Sequence, residues 1–194
     1  SGSGVYGDVG NTPTDENFSP LLPISMYGSA KLSSETLICA FSHMYGMQGW
    51  IFRLANIVGP RHTHGVIFDF INKLRKNPST LEILGDGRQS KSYLDVTDVI
   101  RAIMLCMKKS RDKINTFNVA TRDFLSVTEI ADILVKILKL KNVRYKFSGG
   151  NRGWKGDVPV VRLDTKKINK LGWFPRYNSR EAVTRAVRFN SCKQ

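Results

Sequence analysis

Residues 25–41 read Ser25-Met26-Tyr27-Gly28-Ser29-Ala30-Lys31-Leu32-Ser33-Ser34-Glu35-Thr36-Leu37-Ile38-Cys39-Ala40-Phe41. Tyr27, Ala30, Lys31, Ser34, Leu37, Ile38 and Phe41 recur three and four positions apart, the period of an α-helix. The pattern predicts a helix from Ser25 to about Tyr45, stopped by Gly46 and Gly49. Tyr27 and Lys31, one turn apart, fall on the same face. A cation held beside a phenol favours the phenolate, so a tyrosine so placed can take a proton from an alcohol and return it. Spacing alone does not decide the matter, because the same pair occurs in helices that merely half-bury a tyrosine.

Working outward, Trp50 to Ala55 reads as a short apolar strand interrupted by Arg53, followed by a loop with Gly59, Pro60 and Arg61. A helix is predicted over Phe68 to Lys76, broken by Asn77-Pro78. Leu81 to Leu84 and Ser92 to Val96 read as strands around the Gly85-Asp86-Gly87 loop, and a helix covers about Asp98 to Lys109. Thr116 to Ala120 is a strand. Ser126 with Glu129 forms a capping-box signature opening a helix to about Leu140. Val143 to Phe147 and Val160 to Leu163 read as strands, with a short helix near Thr165 and a last helix capped by Ser179. Strands alternating with helices predict an α/β fold. The aromatic residues Trp50, Phe52, Phe68 and Phe70 are expected in the core.

Composition narrows the function. A chain of 194 residues with 41% hydrophobic and 24% charged residues has enough apolar material for a real core. No apolar run approaches bilayer length, and the opening Ser-Gly-Ser-Gly lacks a secretory pattern. Cys39, Cys106 and Cys192 are scattered and odd in number, arguing against a disulfide framework and for a cytoplasmic setting. His62 and His64 flank Thr63 without a Cys or carboxylate cluster, so no metal is expected. The net charge of +14 admits nucleic-acid binding. Yet the cations come in short groups, such as Lys73, Arg75 and Lys76 or Lys108 and Lys109, near the ends of predicted helices. There they suit the helix dipole and attract a small anionic substrate, and no nucleic-acid partner is expected.

Further blocks join Tyr27-Gly28-Ser29-Ala30-Lys31-Leu32 and Glu35 in order along the chain. Val5-Tyr6-Gly7 precedes them, and Arg53-Leu54-Ala55-Asn56-Ile57-Val58-Gly59-Pro60-Arg61 follows. Then come Gly65-Val66-Ile67, Leu84-Gly85-Asp86-Gly87, Lys91-Ser92-Tyr93-Leu94-Asp95-Val96-Thr97-Asp98-Val99, Gly156-Asp157-Val158-Pro159 and Leu171-Gly172-Trp173. In this order the chain resembles the extended short-chain dehydrogenase/reductase superfamily, in its NAD-dependent epimerase/dehydratase, UDP-glucose 4-epimerase-like branch. The resemblance implies the C-terminal part of a Rossmann-like doubly wound parallel sheet plus a smaller α/β substrate-binding domain. Residues 1–60, with returns near 91–120, would belong to the first, and 61–194 mainly to the second.

The resemblance also implies roles. Tyr27 is the expected catalytic acid/base, and Lys31 tunes it and holds the nicotinamide ribose of NAD. The family's third catalytic group is a Ser or Thr three residues before the Val of Val-Tyr-Gly; Gly2 stands there, leaving Ser3 or Ser1 as stand-ins. Asn56 is placed at the diphosphate of a UDP-sugar. Gly65, Val66 and Ile67, with Leu84 and Gly85, would line the uridine pocket. Lys91 replaces an arginine that faces the diphosphate, keeping the charge without the two-pronged geometry. The second phosphate arginine is replaced by Trp154, with Arg152 or Lys155 as alternative sources of charge, and Asp157 would accept from the ribose hydroxyls. A homodimer built through the Tyr/Lys helix is expected of the full-length protein.

Gly4, Gly7 and Gly10 match the spacing of a dinucleotide fingerprint, but turn chemistry at Asn11-Thr12-Pro13-Thr14 follows where a helix N-terminus is required. The true fingerprint is expected upstream, which makes the chain a piece of a longer enzyme. The implied reaction is 4-epimerisation of a UDP-sugar. A dehydratase or decarboxylase of the same superfamily is the rival, although Gly2-Ser3-Gly4 stands where dehydratases carry Asp-Glu. A UDP-sugar-binding piece without turnover is the alternative from another class.

Overall fold

The computed structural model describes residues 1–191, so Cys192 lies outside the described residues. The chain begins with a tight 3-10 turn, Ser3–Tyr6, and a long loop leads to α1, Met26–Tyr45. Next come β1 (Gly49–Leu54), β2 (Asn56–Val58), α2 (Val66–Lys76), β3 (Thr80–Ile83), β4 (Ser90–Lys91) and β5 (Tyr93–Asp95). The chain continues through α3 (Val96–Lys109), β6 (Ile114–Val119), β7 (Leu125–Ser126), α4 (Val127–Ile137) and β8 (Arg144–Phe147). It ends in α5 (Lys166–Lys170) and α6 (Ser179–Ser191).

Strands far apart in sequence pair in parallel. β1 runs beside β6 from Gly49↔Ile114 to Leu54↔Val119, β2 beside β5, and β3 beside β8. The short β4–β7 pair is antiparallel. Parallel neighbours need a crossover, and α3 supplies the last leg of the one between β1 and β6. Two apolar clusters result. One packs Val99, Ala102 and Cys106 of α3 against Phe117, Val119, Ile168 and Trp173. The other packs Ile67, Phe70, Ile71 and Leu74 of α2 with Leu81, Ile83, Ile130, Leu134, Val183 and Val187. Asp98, fully buried, joins α3 to the loop between α5 and α6. Its carboxylate accepts from the backbone N–H groups of Arg176 and Tyr177, and its carbonyl accepts from the Trp173 indole.

α1 buries Gly28, Glu35 and Ser42, while Leu37, Ile38 and Phe41 face outward. Several expectations change. Phe68 is exposed whereas Phe70 is buried, because α2 turns only one face to its cluster. Val160 to Leu163 makes no strand, only single bridges from Val160 to Ser90 and from Leu163 to Thr14. Ser179 is the first residue of α6 rather than its cap. The Asn178 side chain accepts from Glu181 N at 2.8 Å and Glu181 reaches back to Asn178 N, a reciprocal cap one residue earlier. That leaves the Ser179 hydroxyl, buried, to accept from Tyr93 N and contact Thr121.

Candidate active site

Ser25 Oγ accepts from Gly28 N at 3.0 Å and caps α1. Gly28 then lies against the opening turn. A Cβ there would stand 2.7 Å from Gly4 O and 3.0 Å from Pro23 Cβ, so only glycine lets the helix come this close. This contact sets Tyr27 and Lys31 beside Ser1–Gly4 on one cavity of about 760 Å³. Tyr27 is 64% exposed, and Lys31 Nζ sits 5.3 Å from its ring centroid. Ser1 and Ser3 both line the cavity, and Gly2 is held as a bridge to Leu54. The expected acid/base, its cation and the candidate hydroxyls therefore open on one space.

Asn56 and Tyr93, register partners at the start of β2 and β5, form the far wall. Tyr93 is buried, and burial, helped by Asp157 nearby, pushes its phenol up to about 12 against the opposing influence of Asn56. It is therefore an uncharged O–H at neutral pH. His62 lines the same cavity. Its Nε2 accepts from Gly59 N at 3.2 Å, while Asn190 of α6 bonds both His62 N and Gly59 O.

Burial, with His64 adding to it, lowers the His62 pKa below the usual 6.5. The folded state thus prefers the neutral ring. This contribution to stability is complete above about pH 6.5 and is lost as pH falls through the folded value. The urea midpoint of the wild-type protein should accordingly fall between pH 7 and 5.5 more than that of His62→Gln. Parallel pH curves for the two proteins would refute the assignment.

A second cavity of about 440 Å³ shares Asn56, Gly65, Val66 and Tyr93 with the first, so the two form one groove. Its own wall includes Phe70, Leu84, Gln89, Lys91, Trp154 and Asp157. Lys91, expected at a diphosphate, and Asp157, expected at a ribose, are ion-paired to each other, and Asp157 Oδ2 also accepts from Gly153 N at 3.0 Å. Gly85 lies behind the wall. At its φ of +78° a Cβ would stand 1.8 Å from Gln89 Nε2, and its own N–H and C=O go to Ser148 and Gly149. Arg152 is not on the wall either; its guanidinium bonds Asp8 and the Asp157 carbonyl.

Sequence reading missed Tyr93, Gln89 and His62 as lining residues. Tyr93 becomes visible only through the β2–β5 register, since nothing local links it to Asn56. Among the described residues no three His, Cys, Asp or Glu side chains gather as a metal site. No helix among them is long and apolar enough to cross a membrane.

Parallel strand pairs carrying a Tyr/Lys helix over a glycine-walled cavity define a Rossmann-like α/β protein of the kind that handles dinucleotides. The chain belongs to the NAD-dependent epimerase/dehydratase family, whose profile matches residues 1–120. A Methanocaldococcus jannaschii protein assigned as a UDP-glucose 4-epimerase is 32% identical over 191 residues, which is 96% of this chain and 60% of that protein. The human dTDP-D-glucose 4,6-dehydratase is 28% identical over 94% of this chain and 53% of its own length. A crystal structure of a UDP-galactose 4-epimerase superposes with a TM-score of 0.86 at 38% identity, over 97% of this chain and 60% of that one. The chain thus spans a little over half the length of these three proteins. The family is enzymatic and NAD-dependent.

The residues present fit one end of that cofactor. Tyr27 and Lys31 face a wall, Ser1–Gly4, with no side chain larger than a hydroxymethyl, leaving room for a flat ring and its ribose.

Proposed function

We propose that the protein is a nucleotide-sugar 4-epimerase acting on a UDP-sugar, with Tyr27 as acid/base. The observation that carries this reading is the continuity of the groove. The Tyr27/Lys31 end meets the Lys91/Asp157 end at Asn56 and Tyr93, giving reactive and anchoring ends to one elongated ligand. The likeness to two proteins described as UDP-sugar 4-epimerases supports it. The absence of an Asp-Glu pair before Val5 favours epimerisation over dehydration.

In this mechanism the nucleotide is held in the second cavity by the Leu84 wall, Lys91 and Asn56. The sugar reaches into the first cavity, where Tyr27, acting as its phenolate beside the Lys31 ammonium, takes the proton of the C4 hydroxyl as hydride leaves the carbon. NAD, when bound, supplies the acceptor for the hydride leaving C4 and the donor that returns it. Because the anchor lies in the other cavity, the 4-keto sugar can turn over before Tyr27 gives the proton back. In this reading Ser3 or Ser1 hydrogen-bonds the reacting oxygen. The outward apolar face of α1, with Leu37, Phe41 and Met44, supports assembly as a homodimer.

Calorimetric titration with UDP-glucose, followed by product analysis in the presence of NAD, tests this reading. Binding with formation of UDP-galactose is expected. A 4-keto-6-deoxy product would make the protein a dehydratase, and absence of UDP-glucose binding would overturn the reading of the groove.

A further inference from the structure

Residues 148–157 form a strap along the second cavity. Its stem is pinned to β3 and the turn after it, with Ser148 N donating to Ile83 O at 3.0 Å and Gly149 N to Gly85 O at 3.1 Å. Beyond the stem, Gly149 and Gly150 have positive φ and open space around them. Gly153 and Trp154 then join the cavity wall, but the guanidinium between stem and wall does not. Arg152 Nη2 pairs with Asp8 Oδ2 at 2.6 Å, and Nη1 donates to the Asp157 carbonyl at 2.5 Å. Asp8 follows the turn whose first residues wall the Tyr27 cavity, so this contact ties the strap to the reactive end of the groove. The ammonium of Lys91 is likewise occupied by Asp157.

Lys91 and Arg152 therefore already hold carboxylates. The two pairs differ in strength. Asp157 is buried and also accepts from Gly153 N. The side chains of Arg152 and Asp8 remain 34% and 29% exposed, and an ion pair so open to water is weak and exchangeable. A diphosphate carries more charge than one carboxylate and accepts both prongs of a guanidinium. We propose that Asp8 sets the affinity of the groove for a nucleoside diphosphate. It holds Arg152 on the rim, and binding passes this guanidinium from the Asp8 carboxylate to a phosphate, with the strap moving about its glycines. The inference rests on the nucleotide-sugar reading of the groove.

The test is UDP and uridine titration of the wild-type protein, Asp8→Asn, Arg152→Gln and the double variant at one ionic strength. Asp8→Asn should bind UDP about two- to five-fold more tightly, the range expected for releasing an exposed ion pair. Uridine, without phosphates, should bind both proteins equally. Arg152→Gln should weaken UDP binding, and adding Asp8→Asn to it should change nothing further. A structural role for Asp8 predicts weaker binding instead, and a general charge effect predicts tightening that persists without Arg152. Either result overturns the inference, as does unchanged affinity in Asp8→Asn, while leaving UDP binding by the wild type intact. Failure of the wild type to bind UDP would overturn the proposed function with it.

Discussion

Tyr27→Phe is expected to lower turnover of the nucleotide sugar by about 10²- to 10⁴-fold, the usual contribution of a positioned acid/base. UDP affinity should stay within a factor of about two. The split follows from where the side chain sits. Tyr27 is mostly exposed on the cavity side of α1 and supports no packing, so removing its hydroxyl should not shift the unfolding midpoint. Nor does it line the second cavity, where the nucleotide is proposed to anchor. A loss of this kind is a loss of transition-state interaction, seen in kcat with little change in KM. Activity comparable to the wild type would remove Tyr27 from the mechanism and shift attention to the hydroxyls of Ser1 and Ser3. Loss of UDP binding alongside turnover would mean that the two cavities are not the independent ends described above.

Much of this site was legible in the sequence because its signals are local. Tyr27 and Lys31 are set by helical period, the start of α1 by Ser25 and that of α4 by the Ser126/Glu129 box. Other features depend on pairings that no short window contains. Tyr93 meets Asn56 only through the β2–β5 register, and Arg152 meets Asp8 across 144 positions. α1 turns inward the face that approaches the turn through Gly28 and receives Arg53 at Glu35, contacts no helical period announces. One expectation failed because a local rule met a stronger tertiary demand. Ser179 looked like a cap, but its hydroxyl is required inside by Tyr93 N, and Asn178 caps instead.

Glu35→Leu is expected to destabilise the protein by about 3–5 kcal/mol, the effect of stripping one partner from a buried ion pair. Arg53 seemed out of place in an apolar strand, and the structure gives the reason. Its Nε and Nη2 bond the Glu35 carboxylate, the shortest contact 2.8 Å, with the two side chains only 7% and 6% exposed. Nη1 donates to Tyr6 Oη at 3.0 Å and to Glu16 O, and Tyr6 donates onward to Asn118 Oδ1 at 2.8 Å. Burial alone would lower the Arg53 pKa, but the hydrogen bonds it donates to Glu35 and Tyr6 outweigh it and hold the guanidinium above its ordinary value. Leucine at 35 would leave that charge buried beside apolar atoms. Glu35→Leu with Arg53→Met should recover most of the stability, since well-packed apolar groups replace buried pairs at little cost. The network also joins α1, β1, β6 and the Ser3–Tyr6 turn, the elements that set Tyr27 against Ser3. Turnover should therefore fall in Glu35→Leu even at temperatures where the protein stays folded. Urea unfolding of the two variants decides the energetic part. A cost below about 1 kcal/mol for Glu35→Leu would mean the pair behaves as a solvated one.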